Sequence, residues 1–166
     1  MRRFLKILFR VVLIGLILVQ FVPRARLNIS NNKSLSSIEN VHNVPDSVLL
    51  LLKNSCYDCH SNNTTYPWYS KIQPVSWWLN DHISEGKREL NFDEFGSYSI
   101  RRQFNKLKEA NEQIEENEMP LQSYTLIHRN ASINDAQKQT IIKWSNALID
   151  SFKTVYPADS LNRKKR

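Results

Sequence analysis

The sequence predicts an all-α chain, with one N-terminal helix suited to a membrane followed by a small helical domain. Three observations carry this. Apolar residues recur at i, i+3, i+4 and i+7 along several stretches, while alternating runs are scarce. Only 3 glycines and 6 prolines occur in 166 residues, too few for the tight turns of barrels and sandwiches. Hydrophobic residues make up 41% and aromatics 10%, which excludes a disordered chain and supplies one modest core.

The net charge of +7 comes from the two ends. Residues 1–26 hold six Lys/Arg and no acid and residues 163–166 hold four more, leaving thirteen bases against sixteen acids elsewhere, a net −3. A nucleic-acid footprint would place basic side chains on a face of the fold. No nucleic-acid partner is expected.

Phe4 to Val22 reads FLKILFRVVLIGLILVQFV, which as a helix rises about 28 Å and matches a hydrocarbon core of about 30 Å. Arg2, Arg3, Lys6 and Arg10 precede or open the run, whereas Arg24 and Arg26 follow it. The heavier positive flank stays cytoplasmic, so the rest of the chain is exported. Phe21 to Arg26 offers no A-x-A-like pattern, which favours an uncleaved anchor over a signal peptide. Asn28 to Asn43, rich in Ser and Asn, reads as a solvated linker.

Pro45, Asp46 and Ser47 make a good first turn for a helix with Val48 to Leu52 as its body, running into Cys56. A second helix is expected from Pro74, with Val75, Trp78, Leu79, His82, Ile83 and Gly86 as its apolar stripe. A third spans about Ser97 to Asn117 with Ile100, Phe104, Leu107 and Ile114. A fourth, opened by Ser132 or Asn134, carries Ile141, Trp144, Leu148 and Phe152. Arg163 to Arg166 reads as a frayed basic end. The segments are thus an anchor over 1–26, a linker over 27–43, a helical domain over 44–156 and a basic tail over 157–166.

The chemistry is concentrated in Cys56-Tyr57-Asp58-Cys59-His60. This is C-x-x-C-H, the pattern of a c-type haem attachment site. On a turn of helix, residues three apart share a face, so two thiols reach the two vinyl groups of one haem edge while the adjacent imidazole ligates the iron. Three alternatives are weaker. A Cys56–Cys59 disulfide closes a very short loop and leaves His60 unexplained. A thioredoxin-like redox pair expects a βαβ setting. Structural zinc needs four ligands, which here means recruiting His60, His82 or His128 from scattered places.

A second axial ligand is narrowed by composition. Met1 is the initiator, so a thioether must come from Met119, followed at once by Pro120, which is expected to stop the helix and stiffen the backbone. Met as ordinary core filler is the bland alternative. His82 is the leading rival ligand, with His128 and His42 behind it. Tyr66, Trp68, Tyr69, Trp77 and Trp78 follow the motif closely and are expected to wall the macrocycle, Trp68 and Trp78 among them. Pro67 or Pro74 is the expected source of the carbonyl accepting the His60 Nδ1 proton.

The run NSCYDCHSNNTTYPWYSKIQPVSWWLNDHISEGKRELNF, the later MPLQSYTLIHRNASIN and the helix ending near Trp144 resemble the bacterial haem-binding domain family, a small cytochrome c-like group often carrying an N-terminal anchor. The resemblance covers roughly residues 38–152. It implies a monohaem c-type domain with one covalently attached haem c, held at Cys56 and Cys59, with His60 as proximal ligand and Met119 at the distal position. The order of elements also resembles class I cytochromes c, in which first and last helices cross, so Leu49 to Leu52 is expected against Trp144 and Leu148. Few glycines and a longer Trp-rich stretch after His60 depart from that pattern.

The function expected is electron transfer by a single-pass protein of the bacterial inner membrane. Its C-terminal domain would face the periplasm and exchange electrons with redox partner proteins, with no small-molecule substrate and no catalytic residue. An open iron site acting as a peroxidase or gas or redox sensor is the second class, and a haem-free helical interaction module the third.

Overall fold

The computed structural model describes residues 1–30, 32 and 34–162. The basic end at 163–166 lies outside them. Among the described residues there is no strand.

Helix α1, Arg2–Leu18, continues through a 3-10 turn at Val19–Phe21. None of its side chains is buried, and the most apolar 18-residue window within Arg2–Phe21 has a mean hydropathy of 2.3. It is long and apolar enough to cross a membrane and projects from the rest of the fold.

The solvated linker expected over 27–43 is instead folded onto the domain. Asn28 donates its backbone N–H to Tyr66 Oη (2.8 Å) and its Nδ2 to Ser61 O and Thr64 Oγ1 (both 2.9 Å). It accepts at its carbonyl from Thr64 N (3.0 Å) and at Oδ1 from Lys87 Nζ (2.6 Å). The short helix α2, Ile38–Val41, then buries Ile38 completely. Composition suggested a linker because Ser and Asn are polar; here they serve as hydrogen-bonding partners for loop backbone.

Four helices follow in the expected places. Helix α3, Asp46–Ser55, starts after Pro45, where a missing N–H costs nothing. Its inner face is Val48, Leu51, Leu52 and Ser55, so Leu49 lies to one side and Leu50 faces solvent. Helix α4, Tyr57–His60, is a single turn set off by a kink at Cys56. Helix α5, Val75–Glu89, follows Pro74. Its buried face is Ser76, Leu79 and Ile83, continuing to the half-buried Gly86, so the expected stripe is rotated: Val75 and Trp78 are exposed and His82 sits at the border. Gly86 sets this rotation. A Cβ there would stand 2.9 Å from the Cys59 carbonyl oxygen, so only glycine lets α5 approach the motif turn this closely.

Helix α6, Ile100–Glu115, is capped by Ser99, whose hydroxyl accepts from Arg102 N (3.3 Å). After a short α7, Gln122–Ile127, helix α8, Asp135–Val155, opens with a full capping box between Asn134 and Gln137. Helices α6 and α8 pack along their lengths through Phe104, Leu107, Ile114, Ile141, Ile149 and Phe152. Each such buried side chain contributes about 1.5–3 kcal/mol of transfer free energy. Helix α3 lies against α8 as the resemblance implies, and Trp144 Nε1 donates to Asn43 O (3.1 Å). The fold also runs past its expected end at 156. Helix α9, Ala158–Leu161, buries Leu161, and the Arg101 guanidinium holds the carbonyls of Asp159 and Ser160.

Candidate haem-binding site

The motif turn is built by backbone. Cys56 N donates to Leu52 O (2.8 Å), closing α3, while Cys56 O accepts from Cys59 N (3.2 Å) and His60 N (2.9 Å), opening α4. The two residues between the cysteines are tethers. Tyr57 stacks on Phe92 with ring centroids 5.3 Å apart, and its hydroxyl donates to Glu39 Oε2 (2.8 Å). Asp58 accepts from Tyr124 Oη (2.5 Å) and Thr65 N (3.0 Å). Burial pushes the Cys56 thiol up to about 12 and the Cys59 thiol up to about 11, aided by charge from Cys59 and Asp58 respectively. Both thiols are free. Held protonated, they are poor nucleophiles for disulfide exchange.

His60 Nδ1 lies 2.9 Å from Leu90 O. The expected acceptor was the carbonyl of Pro67 or Pro74, and the structure corrects this to Leu90, the residue that ends α5. A carbonyl can only accept, so the proton sits on Nδ1 and the Nε2 lone pair is free. Burial lowers the His60 pKa, opposed by the carbonyls of Leu90 and Gly86, and keeps the imidazole neutral, as a metal ligand must be.

Beside the turn lies a mainly apolar cavity of about 350 Å³, within the range of small-ligand and cofactor sites. Cys56 and His60 line it from the N-terminal half of the fold, Met119 and Pro120 from the C-terminal half. Leu52, Leu107 and Ile141 form its deep wall.

The presentation of Met119 has a local cause that the sequence reading assigned to the wrong residue. Pro120 does not stop α6. The helix is ended by Asn117 in the left-handed region (φ 63°), with Asn117 N donating to Ile114 O (3.3 Å) and Glu118 N to Gln113 O (2.9 Å). This is a Schellman motif with Asn at the left-handed position. Met119 N donates to the same Gln113 carbonyl (3.1 Å), pinning the methionine to the helix end.

The rival histidines are engaged elsewhere, and none lines this cavity. His82 Nδ1 meets Trp78 O (2.8 Å). His128 stacks on Tyr124 and meets Tyr69 Oη. His42 Nε2 meets Gln103 Oε1 (2.9 Å) between Phe95 and Phe152. The aromatic group after the motif also lies off the cavity: Trp68 is 76% exposed and Trp78 48%. The aromatic side chains on the cavity are Phe92, Phe95 and Trp144. Phe92 and the Leu90 carbonyl were not anticipated from sequence; Gly86 was placed on the stripe of α5, but not its close approach to Cys59, for which the chain's scarcity of glycine was the one available signal.

The donor set suits haem. An imidazole nitrogen and a thioether sulfur are both donor types that haem iron accepts. Among the described residues no three His, Cys, Asp or Glu side chains converge as a zinc site requires. The wall also holds two buried polar atoms without a partner, Asn111 Oδ1 and Ser145 Oγ. A wholly apolar guest would leave both unpaired; a carboxylate at a guest's edge accepts from Ser145 Oγ, whereas Asn111 Oδ1 is itself an acceptor and calls for a donor. Haem, an apolar plane with two propionates, suits the apolar wall and the Ser145 hydroxyl.

A helical domain whose C-x-x-C-H turn shares an apolar cavity with a methionine belongs to the haem-binding class. The family model described as haem-binding domain matches residues 14–147, and the chain belongs to that family. Neither the curated proteins nor the solved structures yield a match.

Proposed function

We propose that this protein is a membrane-anchored, periplasmic, monohaem c-type cytochrome-like electron carrier. In this reading Cys56 and Cys59 hold the haem by thioether bonds, and His60 Nε2 and Met119 Sδ are the axial ligands. The observation that carries the reading is that, of the candidate axial side chains, His60 and Met119 line one cavity beside Cys56 while His42, His82 and His128 do not.

Haem supplies a one-electron couple between Fe(III) and Fe(II). The chain does the rest. The Leu90 carbonyl fixes the His60 tautomer and ring plane. The end of α6 fixes Met119, so both ligands are placed before the metal arrives. Leu52, Leu107 and Ile141 exclude water, and Ser145 Oγ offers a donor to a polar edge group. No group on the cavity is cast as a general acid or base.

The optical spectrum of protein made with an intact haem-maturation system tests this. Sharp reduced α and Soret bands are expected, with the weak far-red charge-transfer band of an iron–thioether bond in the oxidised form, resistant to acid–acetone extraction. Met119→Ala should remove the far-red band and leave haem attached. A wild-type high-spin spectrum that binds CO or peroxide readily would instead establish an open-site sensor or peroxidase. Colourless protein with two titratable thiols would overturn both.

A further inference from the structure

Exposed apolar side chains gather where α1 meets the domain. Ile72, Val75, Trp77 and Trp78 lie within seven residues of one another and are each between 36% and 48% exposed. This segment is bolted to the end of α1. Gln20, on the 3-10 turn that closes the apolar helix, accepts at Oε1 from Gln73 N (3.0 Å) and donates from Nε2 to Gln73 O (2.9 Å). Four residues after Gln73, Trp77 Nε1 donates to the carbonyl of Pro23, three residues after Gln20 (3.4 Å). Beside them, Arg24, Arg26 and Lys71 line a cleft of about 220 Å³ with Tyr66 and Ser70.

We infer that this face, Ile72 to Trp78 with Arg24, Arg26 and Lys71, rests on the phospholipid headgroup layer of the bilayer that α1 crosses. The inference depends on reading α1 as a membrane anchor. If α1 spans, its C-terminal turn marks the level where hydrocarbon gives way to headgroups, and the paired bonds of Gln20 hold the Gln73 peptide at that level. Tryptophan belongs in that layer, since its ring is apolar and its N–H polar. Three cations flanking the tryptophans complement lipid phosphates and are attracted to an anionic leaflet. A protein partner would need the tryptophans but gives no reason for the cations to collect at the foot of an apolar helix. Of the hydroxyls in the cleft, Ser70 Oγ donates to Pro67 O (2.6 Å), while Tyr66 Oη, which accepts from Asn28 N, keeps its proton for a phosphate oxygen.

The test uses the full haem-loaded chain, labelled with 5-fluorotryptophan, in nanodiscs of phosphatidylcholine and phosphatidylglycerol. The discs are doped with a lipid bearing a gadolinium chelate on its headgroup, with the lanthanum chelate as diamagnetic control. Fluorine resonances are assigned by single Trp→Phe substitutions. Gadolinium should enhance the relaxation of Trp77 and Trp78 several-fold over that of Trp144, which lines the haem cavity. If the chain stays in the discs but Trp77 and Trp78 relax no faster than Trp144, the docking face is wrong and the anchor stands. If the chain does not stay in the discs, the anchor reading fails and the docking face falls with it.

Discussion

Gly86 is the narrowest point between the motif turn and the helix that supports it. Alanine there would bring a methyl group to 2.9 Å from the Cys59 carbonyl oxygen and 3.2 Å from Cys59 Cβ. Neither atom is the free end of a flexible side chain, so α5 must move, and overpacking of this kind costs about 1–3 kcal/mol. Gly86→Ala should lower the thermal midpoint and also the yield of attached haem, read by pyridine haemochrome per mole of protein. The second effect follows because α5 ends at Leu90, whose carbonyl orients His60. A variant with wild-type midpoint and haem yield would show that the contact is slack.

Helices show where local chemistry was enough to read the fold and where it was not. Asn117 closes α6 in the left-handed region, where a β-branched residue costs roughly 1–2 kcal/mol and glycine nothing. Asn117→Val should therefore destabilise the protein by that amount and weaken the far-red iron–thioether band, because Met119 hangs on the same Gln113 carbonyl. Asn117→Gly should keep both. Equal stability of the two variants would sink the capping argument. Starts at Pro45 and Pro74 were legible, and that of α8 was narrowed to Ser132 or Asn134, because proline and the capping residues act on the turn they occupy. The C-x-x-C-H turn was legible for the same reason. The rotation of α5 was not, since Val75 and Trp78 match its apolar period but sit on an outer face, and only a contact with Cys59 distant in sequence decides between the two registers. Nor was the Leu90 acceptor, because every residue carries a carbonyl and no side chain marks which one a histidine will find. Pro120 was an obvious stop signal, yet Asn117 had already ended the helix three residues earlier.

For the whole molecule, the decisive departure from sequence expectation is Asn28. Its side chain bridges Ser61, Thr64 and Lys87, joining the chain after α1 to the loop after His60 and to α5. Asn28→Ala leaves these partners without it, at about 1–3 kcal/mol, which in a chain of this size lowers the midpoint by several degrees. In oriented bilayers the same variant should broaden the angular spread of the haem signal in electron paramagnetic resonance, while wild type gives a narrow one. An equally broad wild-type signal would mean that the joint does not hold the domain. The terminal charges, by contrast, were readable as terminal because they lie outside any periodic segment.

Pinning at Asn28 also changes the reach of the protein. Free chain between the apolar helix and the fold shrinks to the few residues from Val22 to Leu27, and Pro23 is itself held by Trp77. On the proposed function, a haem on so short a leash stays beside the bilayer and does not roam in search of a counterpart. A partner of such an electron carrier would have to arrive in the plane of the same lipid sheet, or stand low enough over that sheet to touch, so encounters would be paced by lateral diffusion and by matched height.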